Sequence, residues 1–238
     1  MRRPALIVLL ASVVGAAATA RLGLWQLDRA AAKLAQYERL QARDGLPPLD
    51  VGTLARAAAQ VDEQVQRRVR LRGRWLGERS VWLDNRPLDG RPGFVLLTPL
   101  QLGSDDMVLV QRGWVQRHAA DRTRLAPVTT PDGLVEVEGR IAPGPSRLYE
   151  FEASASGPIR QNLEVAAYAR ETGLPLRPLL VVQIDGPADD GLSRHWAEGP
   201  PDVSTHYGYA VQWFGLSALI TGLYVWFQII RPRRTRAR

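Results

Sequence analysis

Few residues in this chain could carry out chemistry, and those few are scattered. The sequence has three histidines, two methionines and no cysteine. The missing cysteine excludes disulfide bonds, thiolate metal sites and a cysteine nucleophile. Copper sites use clusters of Cys, Met and His, so the scattered His and Met residues argue against copper handling. His118 and His195 have no neighbour at a spacing that would hold a metal.

Catalytic motifs are also missing from the sequence. No G-x-S-x-G elbow, H-E-x-x-H helix or phosphate-binding Walker loop occurs anywhere. The acidic pairs Asp105-Asp106 and Asp189-Asp190 lie next to glycines, so we interpret them as solvated turns. The sequence therefore predicts a protein that is not an enzyme.

His206 stands apart from the other histidines because an apolar segment follows it. No charged residue occurs from Tyr207 to Ile230, a run of 24 residues that can span a bilayer as a helix. Aromatic residues flank both ends as an interfacial belt would: Tyr207, Tyr209, Trp213, Tyr224, Trp226 and Phe227. The pattern predicts a transmembrane helix with an imidazole at its N-terminal end.

The excess of positive charge lies outside the body of the protein. Of the net charge of +7, Arg2 and Arg3 precede the first apolar run and five arginines follow Ile230. Without these seven residues the basic and acidic residues are equal in number, at 24 each. This distribution is typical of the positive-inside rule and does not indicate a nucleic-acid-binding surface.

The first apolar segment, Pro4 to Ala20, has two interpretations. It resembles a cleavable signal peptide, with Ala18-Thr19-Ala20 as the cleavage site. It equally resembles an uncleaved helix that continues to Leu27. Both interpretations place the residues that follow on the far side of the membrane.

The middle of the chain reads as short strands joined by turns. Residues 65–75 alternate between apolar side chains and arginines, which predicts a strand with one buried face and a solvated row of arginines. The other predicted strands are 80–85, 94–100, 107–115, 135–141 and 179–184. The predicted helices are 24–43, 53–61 and 162–172, the last with Asn162 as N-cap and Gly173 as C-cap.

These segments predict an α+β membrane protein in which two transmembrane helices flank a mostly antiparallel, β-rich domain. The predicted division is residues 1–27 for the N-terminal helix, 28–205 for the β-rich domain, 206–230 for the C-terminal helix and 231–238 for a basic tail. Gly208, Gly215 and Gly222 repeat every seven residues, so we expect them to form the seam that packs on Gly15, Ala16, Ala17 and Ala18 of the first helix.

Three segments of the chain together resemble the surfeit locus protein 1 family. The first runs from Leu22 to Gln26 with Arg29 and Lys33 after it. The second joins Arg86, Gly90, Pro92-Gly93 and Thr98-Pro99-Leu100 to Gln111-Arg112-Gly113-Trp114. The third is His206-Tyr207-Gly208-Tyr209-Ala210-Val211-Gln212-Trp213-Phe214. Gln111 stands where the family usually has Asn, and Ser204-Thr205 replaces a common Asn-Asn.

The resemblance implies a cytochrome c oxidase assembly factor of the bacterial inner membrane. Both termini would be cytoplasmic, the β-rich domain periplasmic and the first helix uncleaved. The implied partners are oxidase subunit I, heme A synthase and membrane lipid, with no nucleic acid. The implied role is binding or stabilising heme a for insertion into subunit I. The alternatives are a heme-free scaffold for subunit I and, as the weakest, a periplasmic enzyme with a cleaved leader.

The resemblance also implies a cofactor site around His206, with this imidazole as the ligand of heme iron. We expect Ala210 and Trp213, on the same face of the helix, to leave room for the porphyrin and to form its wall. Trp25 and Arg29 complete the expected set, and Arg21 or Arg194 are further candidates to meet the propionates. In the competing interpretation His206 is an interfacial residue bonded to a neighbouring carbonyl. Arg112-Gly113-Trp114 is interpreted as a structural motif without chemistry.

Overall fold

The computed structural model describes residues 3–121, 123–148, 157–187, 189–196 and 199–232. Most of the predicted basic tail, residues 233–238, lies outside this part of the chain, as does Arg2. The helices are α1 (Arg3–Asp44), α2 (Ala58–Gln64), α3 (Val165–Thr172) and α4 (Ser204–Tyr224). The strands are β1 (Arg68–Trp75), β2 (Val81–Leu83), β3 (Gly93–Gly103), β4 (Asp106–Gln116), β5 (Leu134–Ala142), β6 (Ile159–Arg160) and β7 (Leu176–Gln183).

The chain forms two compact units. A helical unit combines the chain up to Arg39 with the chain from Gly199 onward, and a β unit comprises Leu40–Glu198. The functional division after residue 27 stays a prediction, and by compactness the chain divides after Arg39. The segment 24–43, expected as a separate amphipathic helix, is the second half of α1, since no proline or other helix breaker interrupts it.

Two helices of the helical unit, Pro4–Asp44 and Ser204–Ile230, are long and apolar enough to cross a membrane. Their most apolar stretches are almost entirely unburied, unlike the core helix of a soluble protein. Large exposed apolar side chains include Leu6, Ile7, Leu10, Val211 and Leu219. This pattern suits anchoring in lipid, where an apolar surface needs no protein cover. The last turns of the second helix, Val225–Ile230, are π-helical.

The face by which α4 packs on α1 is not the glycine seam that we expected. A Cβ added at Gly208, Gly215 or Gly222 would have no other described residue within 4 Å, so these glycines lie on the open side of α4. The contact is made instead by Ser217, whose hydroxyl donates a 2.9 Å hydrogen bond to the carbonyl of Ala16. This bond between the helices places Ser217 on the face of α4 that meets α1.

Small residues of α1, in contrast, do lie in this contact. Gly15 faces Ile220, and a Cβ added at Gly23 would lie 2.7 Å from Cε1 of Phe214. The expectation for α1 is therefore confirmed for Gly15 and Ala16, whereas Ala17 and Ala18 are exposed.

The described residues of the β unit form a seven-stranded sheet with the order β1-β5-β7-β4-β3-β2-β6. An additional antiparallel pairing of β1 with β3 closes five of these strands into a ring. The pairs β4–β7 and β2–β6 are parallel and the other five pairings are antiparallel, which confirms the mostly antiparallel prediction. β6 has two residues and was missed because so short a segment carries no periodic signal.

The predicted strands all form, with bounds that differ by a few residues. β1 and β5 alternate between buried and more exposed side chains as predicted, and arginines of β1 lie opposite glutamates of β5. β3 and β4 are buried on both faces because one face lines the ring and the other is covered by loops and α3. These two central strands position the residues of the second motif segment.

The short helices depart most from the prediction. Residues 53–57 precede α2 and are not helical, since Thr53 bonds Asp50 in a turn. α3 begins after Glu164, and Asn162 does not cap it. The Asn162 amide instead pairs with both main-chain groups of Leu148, each at 2.8 Å. Gly173 ends α3 in the left-handed region at φ 69°, as predicted.

Candidate functional site

The imidazole of His206 contacts α1 through a single defined hydrogen bond. Its Nδ1 lies 2.8 Å from Oε1 of Gln26, and the ring is half-buried. Both residues belong to the helical unit. His206 sits in the first turn of α4, where its main-chain N–H donates to the carbonyl of the N-cap residue Val203 at 3.0 Å. The backbone thus places the ring at the end of α4, beside the middle of α1.

This hydrogen bond assigns the two ring nitrogens of His206 different roles. An amide oxygen only accepts hydrogen bonds, so the tautomer that satisfies this contact carries its proton on Nδ1 and donates it to Gln26. Nε2 then keeps its lone pair, which is the form in which a neutral imidazole binds a metal. Metal-binding histidines generally donate their other N–H to such an acceptor. In this tautomer Nε2 would be the ring nitrogen that could ligate an iron.

The surface expected to carry the porphyrin is occupied by packing between the helices. Ala210 is only 2% exposed and Trp213 is half-buried. They share a face of α4 with His206 and Ser217, both of which bond α1. Ala210 therefore does not leave the open space for a macrocycle that we expected one turn below the imidazole.

The other predicted members of the site lie on α1 or in the β unit. Trp25 is 50% exposed, and Arg21 and Arg29 are exposed on α1. These three side chains are open to a ligand, and His206 reaches α1 through Gln26 instead. Arg194 belongs to the β unit, where its guanidinium is already engaged by Asp190. It is therefore not a free partner for a propionate.

Residues of the second motif segment pack tightly against one another in the β unit. The indole of Trp114 donates a 2.6 Å hydrogen bond to the carbonyl of Arg86 and packs directly against Gly93. A Cβ at Gly93 would overlap the indole ring, so only glycine fits there. A Cβ at Gly113 would meet Leu192 at 2.6 Å. The structural interpretation of this motif is supported by these contacts.

Arg112 is the centre of a buried ionic cluster. Leu96 pairs with Gly113 and Leu97 with Gln111, so Arg112 is the extra residue of a β-bulge. Its side chain is 2% exposed and donates to Thr130 Oγ1 at 2.6 Å and to the Thr129 carbonyl at 2.9 Å. The guanidinium also lies 4.7 Å from the ring centroid of Trp75. Burial lowers the pKa of Arg112, opposed by the nearby charge of Asp190.

The acidic pairs were only half correctly interpreted as solvated turns. Asp105 and Asp189 are exposed as expected. Asp190 is 3% exposed and lies between Arg112 and Arg194. Asp106 accepts hydrogen bonds of 2.7 and 2.6 Å from Arg177, which lower its pKa.

Two features of the molecule could not be foreseen from the sequence. In the sequence Gln26 is only the last residue of the first run of motif residues, and its bond to His206 joins residues 180 positions apart. Arg86 was recognised only as a motif residue, yet it is buried beside a pocket. Within the described ranges, no group of three or more His, Asp or Glu side chains is arranged to hold a metal ion.

Comparisons with known proteins agree with the family that the motifs indicate. The SURF1 family profile matches residues 13–218. A SURF1-like protein of Drosophila melanogaster is 28% identical, over 91% of this chain and 75% of its own length. A SURF1-like protein of Rickettsia conorii is 24% identical, over 86% of this chain and 84% of its own. Surfeit locus protein 1 of Arabidopsis thaliana is 26% identical, over 86% of this chain and 73% of its own length. The match covers the β unit and most of α1 and α4, and the chain belongs to the SURF1 family.

Proposed function

We propose that this protein is a cytochrome c oxidase biogenesis factor that binds heme a and holds it for insertion into oxidase subunit I. Nε2 of His206 is the proposed axial ligand of the iron. The single observation that carries this proposal is the hydrogen bond from His206 Nδ1 to Gln26, because it leaves Nε2 with a free lone pair. The protein acts as a carrier in this proposal, so heme a is its cargo and no catalytic step is required.

The macrocycle would lie outside the tightly packed contact of α1 with α4, since Ala210 is covered there. Trp25 offers an exposed aromatic surface one residue from Gln26. Arg29 follows one turn later on α1 and is exposed. An arginine can meet a propionate with a charge-assisted hydrogen bond. Trp25 and Arg29 are therefore the side chains of α1 that we assign to the cargo, with Trp213 in a supporting position.

The proposed location is the bacterial inner membrane, with the β unit in the periplasm and both termini in the cytoplasm. The seven arginines that flank the apolar segments support this orientation. The pairing of Gly15, Ala16 and Gly23 with α4 supports an α1 that stays in place as an anchor. The partners are subunit I, heme A synthase as the source of heme a, and membrane lipid.

A second function, that of a heme-free scaffold for subunit I, is favoured by one observation. Ala210 is buried and His206, Trp213 and Ser217 around it are half-buried, so this face of α4 offers little open apolar surface among the described residues. In that case Gln26 and His206 serve only to fix α4 against α1.

Optical spectroscopy of the protein purified from cells that make heme a separates these two functions. The wild-type protein should carry a Soret band, and His206→Ala should lose it while retaining expression and membrane insertion. His195→Ala is the matched control, because His195 is an exposed histidine of the β unit. A wild-type protein without a Soret band, or an alanine variant with the full heme content, would overturn the heme proposal.

Fusions to a reporter enzyme that is active only after export test the orientation. A reporter fused after Arg238 should be silent and one fused after Gly45 should be active. Activity of the fusion after Arg238 would contradict cytoplasmic termini.

A further inference from the structure

A turn closed by the carboxylate of Asp202 leads into α4. The Oδ1 atom of Asp202 accepts a 2.8 Å hydrogen bond from the main-chain N–H of Ser204, the first residue of α4. Asp and Asn side chains characteristically bond the main chain two residues further on in this way. The residue between them, Val203, is the N-cap, and its apolar side chain offers no acceptor. Asp202 therefore satisfies an N–H group that the start of a helix would otherwise leave unpaired.

Val203, which lies inside this turn, anchors the main chain of His206. Its carbonyl accepts hydrogen bonds from the N–H groups of His206 at 3.0 Å and of Tyr207 at 3.2 Å. The imidazole of His206 is held separately, by the 2.8 Å bond from Nδ1 to Gln26 on α1. With its main chain and its ring both held, His206 keeps Nε2 in one direction relative to α1.

The sequence before Asp202 gives α4 no equivalent earlier start. Pro200 and Pro201 have no main-chain N–H. Pro200 also precedes a proline, and a residue in that position is kept out of the helical region. The start of α4, and with it the level at which His206 meets Gln26, therefore depends on the turn at Asp202.

The Asp202 carboxylate acts mainly through hydrogen bonding and less through its charge. Hydrogen bonds from Ser204 are the main cause that lowers the pKa of Asp202, whereas the charge of Lys33 on α1 contributes less. Asparagine keeps an oxygen at the same place and loses only the charge. It should therefore replace the aspartate in this turn.

We propose that Asp202 is a positioning residue for His206, which it holds beside Gln26 through the turn that includes Ser204 and Val203. The inference rests on the proposed function, in which Nε2 of His206 binds the heme iron. The Asp202 side chain bonds the main chain of Ser204, so it acts on the ligand only through the first turn of α4. Its loss should loosen the imidazole without removing it.

Nitrogen NMR of the labelled imidazole in full-length, heme-free protein tests this proposal, with the His206 signals assigned by their loss in His206→Ala. The wild type should show one neutral tautomer with the proton on Nδ1. In Asp202→Ala the signals of the two nitrogens should move towards each other, and the Nδ1 proton should exchange with water about 5-fold faster, as expected when a helix cap is lost. Asp202→Asn should match the wild type.

Lys33→Met is the matched control for charge, because it removes the attraction of Lys33 to Asp202 and leaves the turn intact. It should also match the wild type. An unchanged imidazole in Asp202→Ala would overturn the proposal. The alanine phenotype in Asp202→Asn or in Lys33→Met would also overturn it, since charge and not the turn would then hold His206.

A crosslink between the helices shows whether the effect stays local. Disulfide formation between Ala16→Cys and Ser217→Cys, at a contact further along α4, should persist in Asp202→Ala. Loss of this crosslink would show that Asp202 holds the whole helix pair, and the positioning role would be wrong.

Heme retention by protein purified from cells that make heme a gives the second readout. It should fall about 5-fold in Asp202→Ala and stay at the wild-type level in Asp202→Asn. A wild-type protein without heme would overturn the heme proposal and leave the NMR comparison valid. A wild type with heme, together with full retention in Asp202→Ala, would overturn the role of Asp202 alone.

Discussion

His206 on α4 and Gln26 on α1 are joined by a 2.8 Å hydrogen bond between Nδ1 and Oε1. The bond couples the tautomer of the imidazole to the packing of α1 against α4. It also links the first and the third of the motif segments, which the sequence places at opposite ends of the chain. A change at Gln26 should therefore act on a side chain of the other helix.

Gln26→Leu should allow His206 to adopt either neutral tautomer, while α1 and α4 remain folded. Leucine fills a similar volume but offers no acceptor to Nδ1, so the proton can move to Nε2. Nitrogen NMR of the labelled imidazole should show the protonated nitrogen change. Loss of such a supporting partner costs about 10–100-fold in metal affinity, so heme retention should fall accordingly.

Gln212→Leu is the control for this change, because Gln212 is an exposed glutamine of α4. An unchanged imidazole spectrum in Gln26→Leu would show that the hydrogen bond does not set the tautomer.

Substitutions at two glycines should separate the observed helix contact from the expected glycine seam. Gly23→Leu should disrupt the packing of α1 on α4, since even a Cβ at Gly23 would lie within 3.0 Å of three Phe214 ring atoms. Gly215→Leu should be tolerated, because no other described residue lies within 4 Å of a Cβ at that position.

Disulfide crosslinking between Ala16→Cys and Ser217→Cys measures this contact, since the chain has no cysteine of its own. Crosslinking should fall in the Gly23 variant and persist in the Gly215 variant. If crosslinking instead persisted in the Gly23 variant and fell in the Gly215 variant, the glycine seam would be the contact surface.

Asp190→Asn should destabilise the β unit strongly. The substitution keeps the shape of the side chain but leaves Arg112 and Arg194 without the carboxylate between them. Removing one partner from a buried ionic cluster costs about 3–5 kcal/mol. The free energy of unfolding, measured by denaturant titration of the full chain, should fall by that order, whereas Asp189→Asn, on the exposed neighbour, should leave it within error of the wild type.

Asp106 should make the stability of the protein dependent on acidic pH. Hydrogen bonds from Arg177 are the main cause that holds the pKa of Asp106 below its usual 3.8, and the charges of Arg177 and Arg56 add to them. The native state thus prefers the ionised carboxylate. This contribution is complete above pH 3.8 and is lost as the pH falls through the lower native pKa.

Denaturant midpoints measured between about pH 6 and pH 2 test this linkage. Asp106→Asn should be less stable than the wild type at pH 6 and should lose less stability on acidification. Asp105→Asn, which changes the exposed neighbour, should follow the wild-type pH profile. A wild-type profile for Asp106→Asn would contradict the assignment.

The sequence alone predicted the elements that have one buried and one solvated face, and those whose ends carry a clear local signal. The alternation along β1 and β5 follows the contrast between core and solvent at every second residue. The length of the uncharged segment after His206 predicted the helix that follows it, and Gly173 ended α3 as its backbone freedom allows. These signals are local, so reading them needs no knowledge of the fold.

Only the tertiary structure decided which surfaces meet. α4 is apolar around its whole circumference, so its periodicity cannot indicate the face that packs on α1. Ser217 and His206 mark the face that does pack, because each bonds a group of α1. In the β unit, Asp190 and Arg86 look in sequence like ordinary loop charges. Long-range packing buries them, leaving Asp190 between two arginines and Arg86 beside a pocket, with no close counter-ion among the described residues.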